Sequence, residues 1–336
     1  MLAAPRADAQ PGPPRRPRPP PIAPVAPVRG DLWREITEPN AEQVRTLVAK
    51  ARLSIRRADD ALAGDVEWSV DTRARFYRDA YHLAAHARRL APEHREALAV
   101  FARAADELGM TSEAIRALEL SVHLSGPDQA PVEITSRLGA LYLRLGDRDR
   151  AIPWLRRAQG PLAGAGGLDQ AHALVHLAGA LAARGDPGAA AHALVNALPP
   201  GPLGQLSHEA TLVAFALAVL HDREEQRASA FDVLDHLRTT LTAQYHEHVQ
   251  ISLARMPFAP PEDLHYFRAL LYESQGHYVE ARAEWALYAA AGDPPYRGRA
   301  LDHIAAIDAQ RRANPGAKPP QQIAPPRAIP RRLPRP

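Results

Sequence analysis

The sequence predicts an all-α protein in which consecutive helical hairpins stack into a solenoid. Three observations lead to this fold class. Small and apolar residues recur at helical spacing between Leu138 and Ala158, and weaker copies of the same run recur about one hairpin apart. In four copies, a glycine precedes a small residue by five positions. Apolar residues repeating at this spacing are typical of helices that bury one face.

The clearest copy fixes the register of small and large residues along one hairpin. Its positions are Leu138, Gly139, Tyr142, Gly146, Ala151, Leu155 and Ala158. This register resembles the tetratricopeptide repeat. The resemblance implies an α-α superhelical solenoid, in which the first helix of each hairpin lines a concave groove that binds protein partners.

The other copies are aligned on the small residue that opens the second helix of each hairpin. These anchors are Ala80 in a partial copy, then Ala114, Ala151, Ala190 and Ala281, with gaps of 34, 37, 39 and 91 residues. The last gap predicts a divergent hairpin at about 212–237, with Phe231 among its apolar residues. A further helix is predicted at about 239–254.

Physical chemistry accounts for the residue types in this register. Helices approach closely only where side chains are small, and larger apolar residues fill the space between the crossings. Glycine after the first helix can adopt a left-handed cap. Proline stops the second helix, because it lacks an amide donor and clashes with the preceding turn.

We divide the chain into six predicted segments. They are a disordered Pro/Arg-rich segment at 1–30, a helical cap at 31–94, three hairpins at 95–202, divergent helices at 203–261, a C-terminal hairpin with a capping helix at 262–310, and a disordered basic tail at 311–336. Both ends are rich in proline, with 10 of the 33 prolines in residues 1–30 and 8 in 311–336. This composition favours polyproline II over regular helix.

Charge separates the two ends from the body. Residues 1–30 carry +4 and residues 311–336 carry +7; since the whole chain carries +3, residues 31–310 carry −8. Nucleic-acid binding would require a basic stripe on the folded part, which the sequence lacks, so we predict no nucleic-acid partner. The tails could instead bind a polyanion, an anionic membrane surface, a proline-reading domain or the acidic body, or serve only as solubilising spacers.

The sequence also bears on location. It contains no cysteine, which excludes disulfides and thiolate chemistry. It contains no apolar run of about 18 residues, which excludes a spanning helix. Ala7-Asp8-Ala9 before Gln10 is typical of the end of a secretory signal, but the apolar core that should precede it is missing. We therefore expect a truncated signal at 1–9 and a periplasmic or exported protein; the alternative is a cytoplasmic one.

Signatures of catalysis and of cofactor binding are absent. There is no phosphate-binding loop, no dinucleotide fingerprint and no H-E-x-x-H. The pairs His82/His86 and His172/His176 have the spacing of metal chelators, yet no carboxylate completes either pair. We interpret them as partly exposed polar residues and predict neither a metal nor a cofactor.

The resemblance places a partner groove on the first helices of the hairpins. The implied lining residues are Glu96, Arg103, Asp106, Glu133, Ser136, Arg144, His172, Asp263, Tyr266 and Glu273. The predicted function is a non-catalytic scaffold that binds a protein or peptide there. A first alternative is an accessory subunit whose basic tails make the contact while the repeats act as a spacer. A second is an enzyme or metal protein with a site in 203–261.

Overall fold

A computed structural model describes residues 39–63, 70–160, 162, 167–199, 206–241 and 243–313. The chain divides into two compact units, 1–42 and 43–336, and only 39–42 of the first are described. The predicted disorder at 1–30 and 314–336 and the export signal therefore lie outside the described residues. The predicted start of the disordered tail at residue 311 was wrong, because the last helix continues to Ala313. None of the described helices is long and apolar enough to cross a membrane.

Every regular element among the described residues is an α-helix, and we number these helices in chain order. Their bounds are α1 Ala41–Ala63, α2 Val70–Leu90, α3 Arg95–Glu107, α4 Thr111–Ser125, α5 Val132–Arg144, α6 Arg148–Arg157, α7 Gly167–Ala183, α8 Pro187–Ala197, α9 His208–Arg223, α10 Arg227–Leu241, α11 Ala243–Arg255, α12 Asp263–Ser274, α13 Tyr278–Ala290 and α14 Arg297–Ala313.

These helices form successive hairpins, as predicted. The pairs α3/α4, α5/α6, α7/α8, α9/α10 and α12/α13 pack most closely, and the first helix of one pair also packs on the first helix of the next, as α5 does on α7 and α7 on α9. The predicted fold class, an all-α solenoid of tetratricopeptide type, is confirmed. We call the surface formed by α1, α3, α5, α7 and α9 the inner face.

Four hairpins close their first helix with the same turn. The second residue after that helix has φ between +76° and +88° at Gly109, Gly146, Gly185 and Gly276. The following amide then bonds to a carbonyl five residues back, as Asp147 N does to Tyr142 O at 3.0 Å. Glycine adopts this left-handed conformation at no steric cost, which explains the predicted Gly-to-Ala spacing.

The small residues lie where the two helices of a hairpin cross. The anchors Ala114, Ala151, Ala190 and Ala281 are fully buried. At Gly139 the crossing is closer still, because an added Cβ would lie 2.5 Å from Cγ of Leu155. Side-chain size therefore sets the spacing between helices, as the register predicted.

The divergent region also forms a hairpin, with one departure from expectation. The helices α9 and α10 occupy the predicted range, and α11 matches the additional helix. Phe231, predicted to face the core, is 65% exposed, because α10 turns this position away from α9. Helix α9 is the most enclosed of the set, buried at 12 positions from Ala210 to Asp222.

Candidate functional site

The inner face carries a connected set of ion pairs across α1, α2, α3 and α5. We call this set the inner lattice; its members are Asp59, Arg73, Arg103, Asp106, Glu107, Arg137 and Arg144. Every pair in it joins two different helices, so the lattice ties neighbouring hairpins together.

Arg103 and Asp106 of α3 are the centre of the inner lattice. Arg103 donates to Asp59 of α1 at 2.5 Å, and Asp106 accepts from Arg137 of α5 at 3.4 Å and also from Arg144. Arg73 of α2 bonds Glu107 at 2.8 Å. The structure thus brings together the predicted groove residues Arg103, Asp106 and Arg144, and it pairs them with acids and arginines of adjacent helices.

The guanidinium groups of the lattice remain partly open to solvent. Arg103, Arg137 and Arg144 have exposed side-chain fractions of 34%, 22% and 26%, whereas the carboxylate of Asp106 is 6% exposed. A ligand approaching this surface would therefore meet the edges of Arg137 and Arg144 before Asp106, whereas Asp59, which is 36% exposed, is as accessible as Arg103. Charge-assisted hydrogen bonds to these acids hold the arginines in place.

Three other predicted groove residues lie around the lattice. Glu96 is exposed and pairs with Arg52 at 3.4 Å, and Glu133 is exposed on α5. Ser136 is buried and donates to the backbone carbonyl of Asp169 at 2.9 Å, so it joins α5 to α7. Of these three, only the two glutamates offer a charged group to an incoming segment.

The predicted histidine pair on α7 is buried, which corrects the expectation of partial exposure. His172 and His176 are 7% and 4% exposed, and both lie on α7, a helix buried at most of its positions. Burial, with the nearby charges of His172 and Arg144, lowers the pKa of His176 to about 3. No group of three or more potential ligands for a metal ion occurs among the described residues.

One stretch of the chain itself lies on the inner face. Residues 256–261, Met-Pro-Phe-Ala-Pro-Pro, follow α11, and we call them the inner segment. Met256 and Phe258 are 3% and 4% exposed, and the ring of Phe258 contacts the ring of Phe267 edge-on at a centroid distance of 5.2 Å. Pro257 lies beside His176 of α7, and its backbone raises the pKa of that histidine, although burial outweighs this effect. A proline-rich, non-helical segment with a bend at Ala259 and Pro260 thus lies against α7, α9 and α12.

The last three predicted groove residues, Asp263, Tyr266 and Glu273, belong to a buried cluster that holds α14 in place. Asp222 of α9 is its centre, and the cluster includes Arg223, Asp263, Tyr266, Glu273, Trp285, Arg299 and His303; we call it the cap cluster. Asp222 accepts from Tyr266 at 2.7 Å, from His303 at 3.0 Å and from Arg299. Its carboxylate is 4% exposed.

The remaining contacts of the cap cluster complete this arrangement. Glu273 bonds Nδ1 of His303 and Nε1 of Trp285, both at 2.8 Å, and the Trp285 and His303 rings stack at 4.4 Å. Asp263 pairs with the buried Arg223 at 2.7 Å. Tyr266 is fully buried, so it is unavailable to a groove ligand, and Asp263 and Glu273 are committed to this cluster.

The carboxylates and hydrogen bonds of the cap cluster determine the pKa values of His303 and Asp222. Burial alone would lower the pKa of His303, but the carboxylates of Asp222 and Glu273 outweigh burial and raise that pKa to about 9. Burial would raise the pKa of Asp222, but hydrogen bonds from His303, Arg299 and Tyr266 hold it at about 2. The central pair is therefore ionised at neutral pH, a buried ion pair with its hydrogen bonds satisfied.

Sequence reasoning missed Asp222, Arg299 and His303. The available signal was an acid just after a long apolar stretch, because Ala210–Leu220 is followed by His221-Asp222-Arg223. A carboxylate continuing a buried face requires buried partners, because an unpaired buried charge is very costly. The partners, 77 and 81 residues further on, cannot be inferred from local spacing.

The helix order, the glycine caps and the inner face together define a repeat protein of tetratricopeptide type. No protein-family model matches the chain, and no curated protein matches it. Similar solved structures include PilW, a type IV pilus biogenesis factor, at 17% identity over 75% of this chain and 98% of that one, with a TM-score of 0.42. A tetratricopeptide repeat protein from Parabacteroides merdae is 12% identical over 77% and 99% of the two chains, with a TM-score of 0.41. The tetratricopeptide domain of P58(IPK) is 13% identical over 84% and 69%, with a TM-score of 0.31.

Proposed function

We propose that this chain is a non-catalytic scaffold that holds a partner polypeptide on the inner face of α1, α3 and α5. The observation that carries the proposal is the inner segment. Further along the inner face, α7 and α9, together with α12, already pack against this non-helical stretch through Met256 and Phe258. Preformed helices can accept an extended peptide without the entropic cost of ordering themselves.

The part of the inner face from α1 to α5 has suitable chemistry for a polar ligand. Arg103 and Arg144 bond to acids of neighbouring helices, which holds their partly exposed donors in set positions. Glu96 and Glu133 add exposed carboxylates next to these donors. A segment that carries charges of both signs, or a basic one that pairs with the two glutamates, fits this surface.

The proposal is tested by reversing exposed charges on the inner face. Glu96→Lys with Glu133→Lys changes two exposed residues of α3 and α5 and leaves the lattice pairs intact. Asp149→Lys with Asp232→Lys is the matched control, because it makes the same charge change at exposed positions of the outer helices α6 and α10. The full chain and both variants are immobilised, and the partners captured from the native lysate are quantified by mass spectrometry.

We expect the inner variant to lose at least about tenfold of one specific partner, since close charge reversal at an interface costs more than about 1.4 kcal/mol. The outer variant should retain that partner. If both variants capture the same proteins at wild-type levels, the inner face is not the binding surface. Circular dichroism of each variant establishes that its helices are intact.

The accessory-subunit alternative is favoured by the charge of the two ends. Residues 1–30 and 311–336 carry +4 and +7 beside a body of −8. A full-length chain and a variant lacking 1–30 and 314–336 separate the two functions; the second deletion spares α14, which ends at Ala313. Capture that survives the deletion supports the inner face, and capture that disappears supports the tails.

Export is a separate proposal that depends on Ala7-Asp8-Ala9. It is tested by expressing the gene with its natural upstream region and determining the N-terminus of the protein in each cell fraction. A mature N-terminus at Gln10 in the periplasmic fraction is the expected result. An intact Met1 in the cytoplasm would contradict it.

A further inference from the structure

The outer face of α13 carries no charge at its exposed positions. Five residues of this helix are exposed, and all of them are apolar: Val279, Ala283, Ala286, Leu287 and Ala290. The outer helices of three earlier hairpins differ, because each exposes charged side chains, such as Arg116 on α4, Arg156 on α6 and Asp232 on α10. Helix α13 therefore presents water with an apolar surface where the equivalent helices present a charged one.

Helix α14 continues this apolar surface on one side. The ring of Trp285 stacks on the ring of His303 at 4.4 Å, and Arg282 donates to Asp308 at 2.7 Å, so α14 runs antiparallel beside α13. Leu301 lies two helical turns before Asp308 and therefore on the same side of α14, next to the outer face of α13. We call the exposed residues of this surface the end patch; they are Val279, Ala283, Ala286, Leu287, Ala290 and Leu301.

Large apolar side chains are concentrated in the end patch. Val279, Leu287 and Leu301 are 47%, 52% and 48% exposed. The other large apolar residues exposed in the described part of the chain each belong to a different helix or to its end. A single exposed apolar residue is ordinary in a soluble protein, whereas a contiguous apolar patch marks a contact site. The end patch therefore has the character of a surface that another surface covers.

Most of the charge beside the end patch is held within the chain. On the α14 side, Arg282 is bound to Asp308. On the opposite side, Glu284 is bound to His265 at 2.6 Å, and Glu280 is half-buried at the edge. Since the patch is neutral and two of these three charges on α13 are already paired, an uncharged apolar face fits it better than a charged segment does.

The spacing of the patch residues on α13 is that of a helix-packing seam. Val279, Ala283, Ala286 and Ala290 follow one another at intervals of four, three and four residues, as the core positions of a coiled coil do. This spacing indicates that the occupant is itself a helix. The small residues in the middle of the seam let the axis of a second helix approach closely.

A second α13 in the antiparallel direction matches this seam. When the two helices cross between residues 284 and 285, Val279 faces the partner's Ala290, and Ala283 faces the partner's Ala286. A large residue then meets a small one at each end, and small residues meet in the middle. The same pairs form twice, as a two-fold contact between identical chains requires.

We propose that the end patch joins two copies of this chain through antiparallel packing of their α13 helices. Leu287 and Leu301 border the seam on its two sides and extend the contact. Helix α13 has 13 residues and is about 20 Å long, and two adjacent helices are about 20 Å wide, so each copy offers about 400 Å². This is about half the area per partner of a standard interface, so we expect a reversible dimer with a Kd on the order of 10–100 μM. The inference goes beyond the proposed function, because it uses no residue of the inner face.

Sedimentation equilibrium of the full chain at concentrations from about 1 to about 500 μM, on both sides of the expected Kd, tests the dimer. Leu287→Glu with Leu301→Glu places two charges in the end patch. Val195→Glu with Phe231→Glu is the matched control, because it makes the same changes at large apolar residues that are 51% and 65% exposed on other helices. Circular dichroism establishes that the helices of both variants are intact.

We expect the full chain and the control to dimerise with the same Kd. The Kd of the patch variant should rise at least about tenfold, because unpaired charges in an apolar contact oppose association. A full chain that stays monomeric throughout, or a patch variant that dimerises as tightly as the control, would overturn the proposal. A dimer that forms only after removal of residues 314–336 would also overturn it, because the tail would then be the occupant of the patch.

Cysteine cross-linking tests the direction of the two helices, because the chain has no cysteine of its own. Val279→Cys chains are mixed with Ala290→Cys chains and oxidised, and Val279→Cys chains alone are the control. We expect the mixed disulfide dimer to form at least about tenfold faster than the dimer of the control, since antiparallel packing places Val279 next to the partner's Ala290. Equal or faster cross-linking of Val279→Cys chains alone would overturn the antiparallel pairing.

Discussion

The inner lattice and the cap cluster use the same kinds of ion pair but differ in exposure. In the lattice, Arg103 is 34% and Arg144 26% exposed, whereas in the cap cluster Arg299 is 8% and Asp222 4% exposed. Both sets join helices from different hairpins. Ion pairs of the same kind are therefore accessible to solvent in the inner lattice, whereas in the cap cluster they are enclosed and hold α14 in place.

The largest expected effect comes from removing the centre of the cap cluster. Asp222→Ala leaves Arg299 and His303 buried without their carboxylate, so we expect the free energy of unfolding to fall by about 3–5 kcal/mol. Asp302→Ala, an exposed acid on α14, is the control and should change it little. Urea unfolding followed by circular dichroism measures both. A small loss at Asp222 would mean that the cluster is open to water.

The second prediction concerns the pH dependence of the cap cluster. The pKa of His303 is raised to about 9 in the folded chain, so its stabilisation is fully present below the ordinary histidine pKa of about 6.5. It is lost as the pH rises through about 9. We expect a loss of about 3 kcal/mol between pH 6 and 10, since the pKa is raised by about 2.5 units and one unit corresponds to about 1.4 kcal/mol.

His303→Gln should remove this part of the pH dependence. Urea unfolding of both proteins at several pH values provides the measurement. The depressed pKa of Asp222, about 2, adds stability that is present above pH 4 and is lost as the pH falls through about 2. A profile for His303→Gln that matched the original chain would contradict the assignment of the alkaline loss to this residue.

The third prediction concerns the loss of one ion-pair partner in the inner lattice. Arg144→Gln removes one of two arginines from Asp106, while Arg137 remains at 3.4 Å. We expect a loss of about 1–2 kcal/mol, smaller than at Asp222, because the carboxylate keeps a partner. Thermal and urea unfolding compare the two variants directly. A loss as large as that of Asp222→Ala would remove the distinction between the two regions.

The smallest effect is expected at the edge of the lattice. Glu96 and Arg52 are each more than half exposed, and such pairs contribute less than about 1 kcal/mol. Glu96→Ala should therefore change the free energy of unfolding by no more than about 0.5 kcal/mol, and less still in 1 M salt. A loss above 1 kcal/mol would show that water screens the Glu96–Arg52 pair less than its exposed fractions indicate.

The glycine caps explain how much of the fold could be predicted from sequence. Four hairpins carry glycine where φ is positive, and all four were located by that residue and its spacing to alanine. The α9/α10 hairpin has the same turn, with Gln226 N bonded to His221 O at 2.8 Å, but Glu225 adopts φ of +59° in place of glycine. Because this turn lacks glycine, the sequence pattern does not reveal the hairpin. The predicted anchors on either side of it, Ala190 and Ala281, are therefore 91 residues apart.

The candidate site was less predictable because its contacts depend on pairing between repeats. The periodic register predicts Arg103, Asp106 and Arg144 on one face, since it fixes which side of a helix a residue occupies. It could not show that Asp106 pairs with Arg144, 38 residues away. It also could not show that the inner segment covers part of the same face, because helical periodicity gives no information about the path of a non-helical stretch.

The tie from α9 to α14 has a consequence for how this chain responds to shortening. In an ideal repeat array each unit interacts only with its nearest neighbours, so terminal units can be trimmed one at a time with additive losses. Here Asp222 bonds to the final helix, with four helices of the chain in between, so removing α14 by a cut before Arg297 would leave a buried carboxylate of α9 without its partners in α14. The last six helices should consequently melt as one cooperative block, while those before them can fray separately.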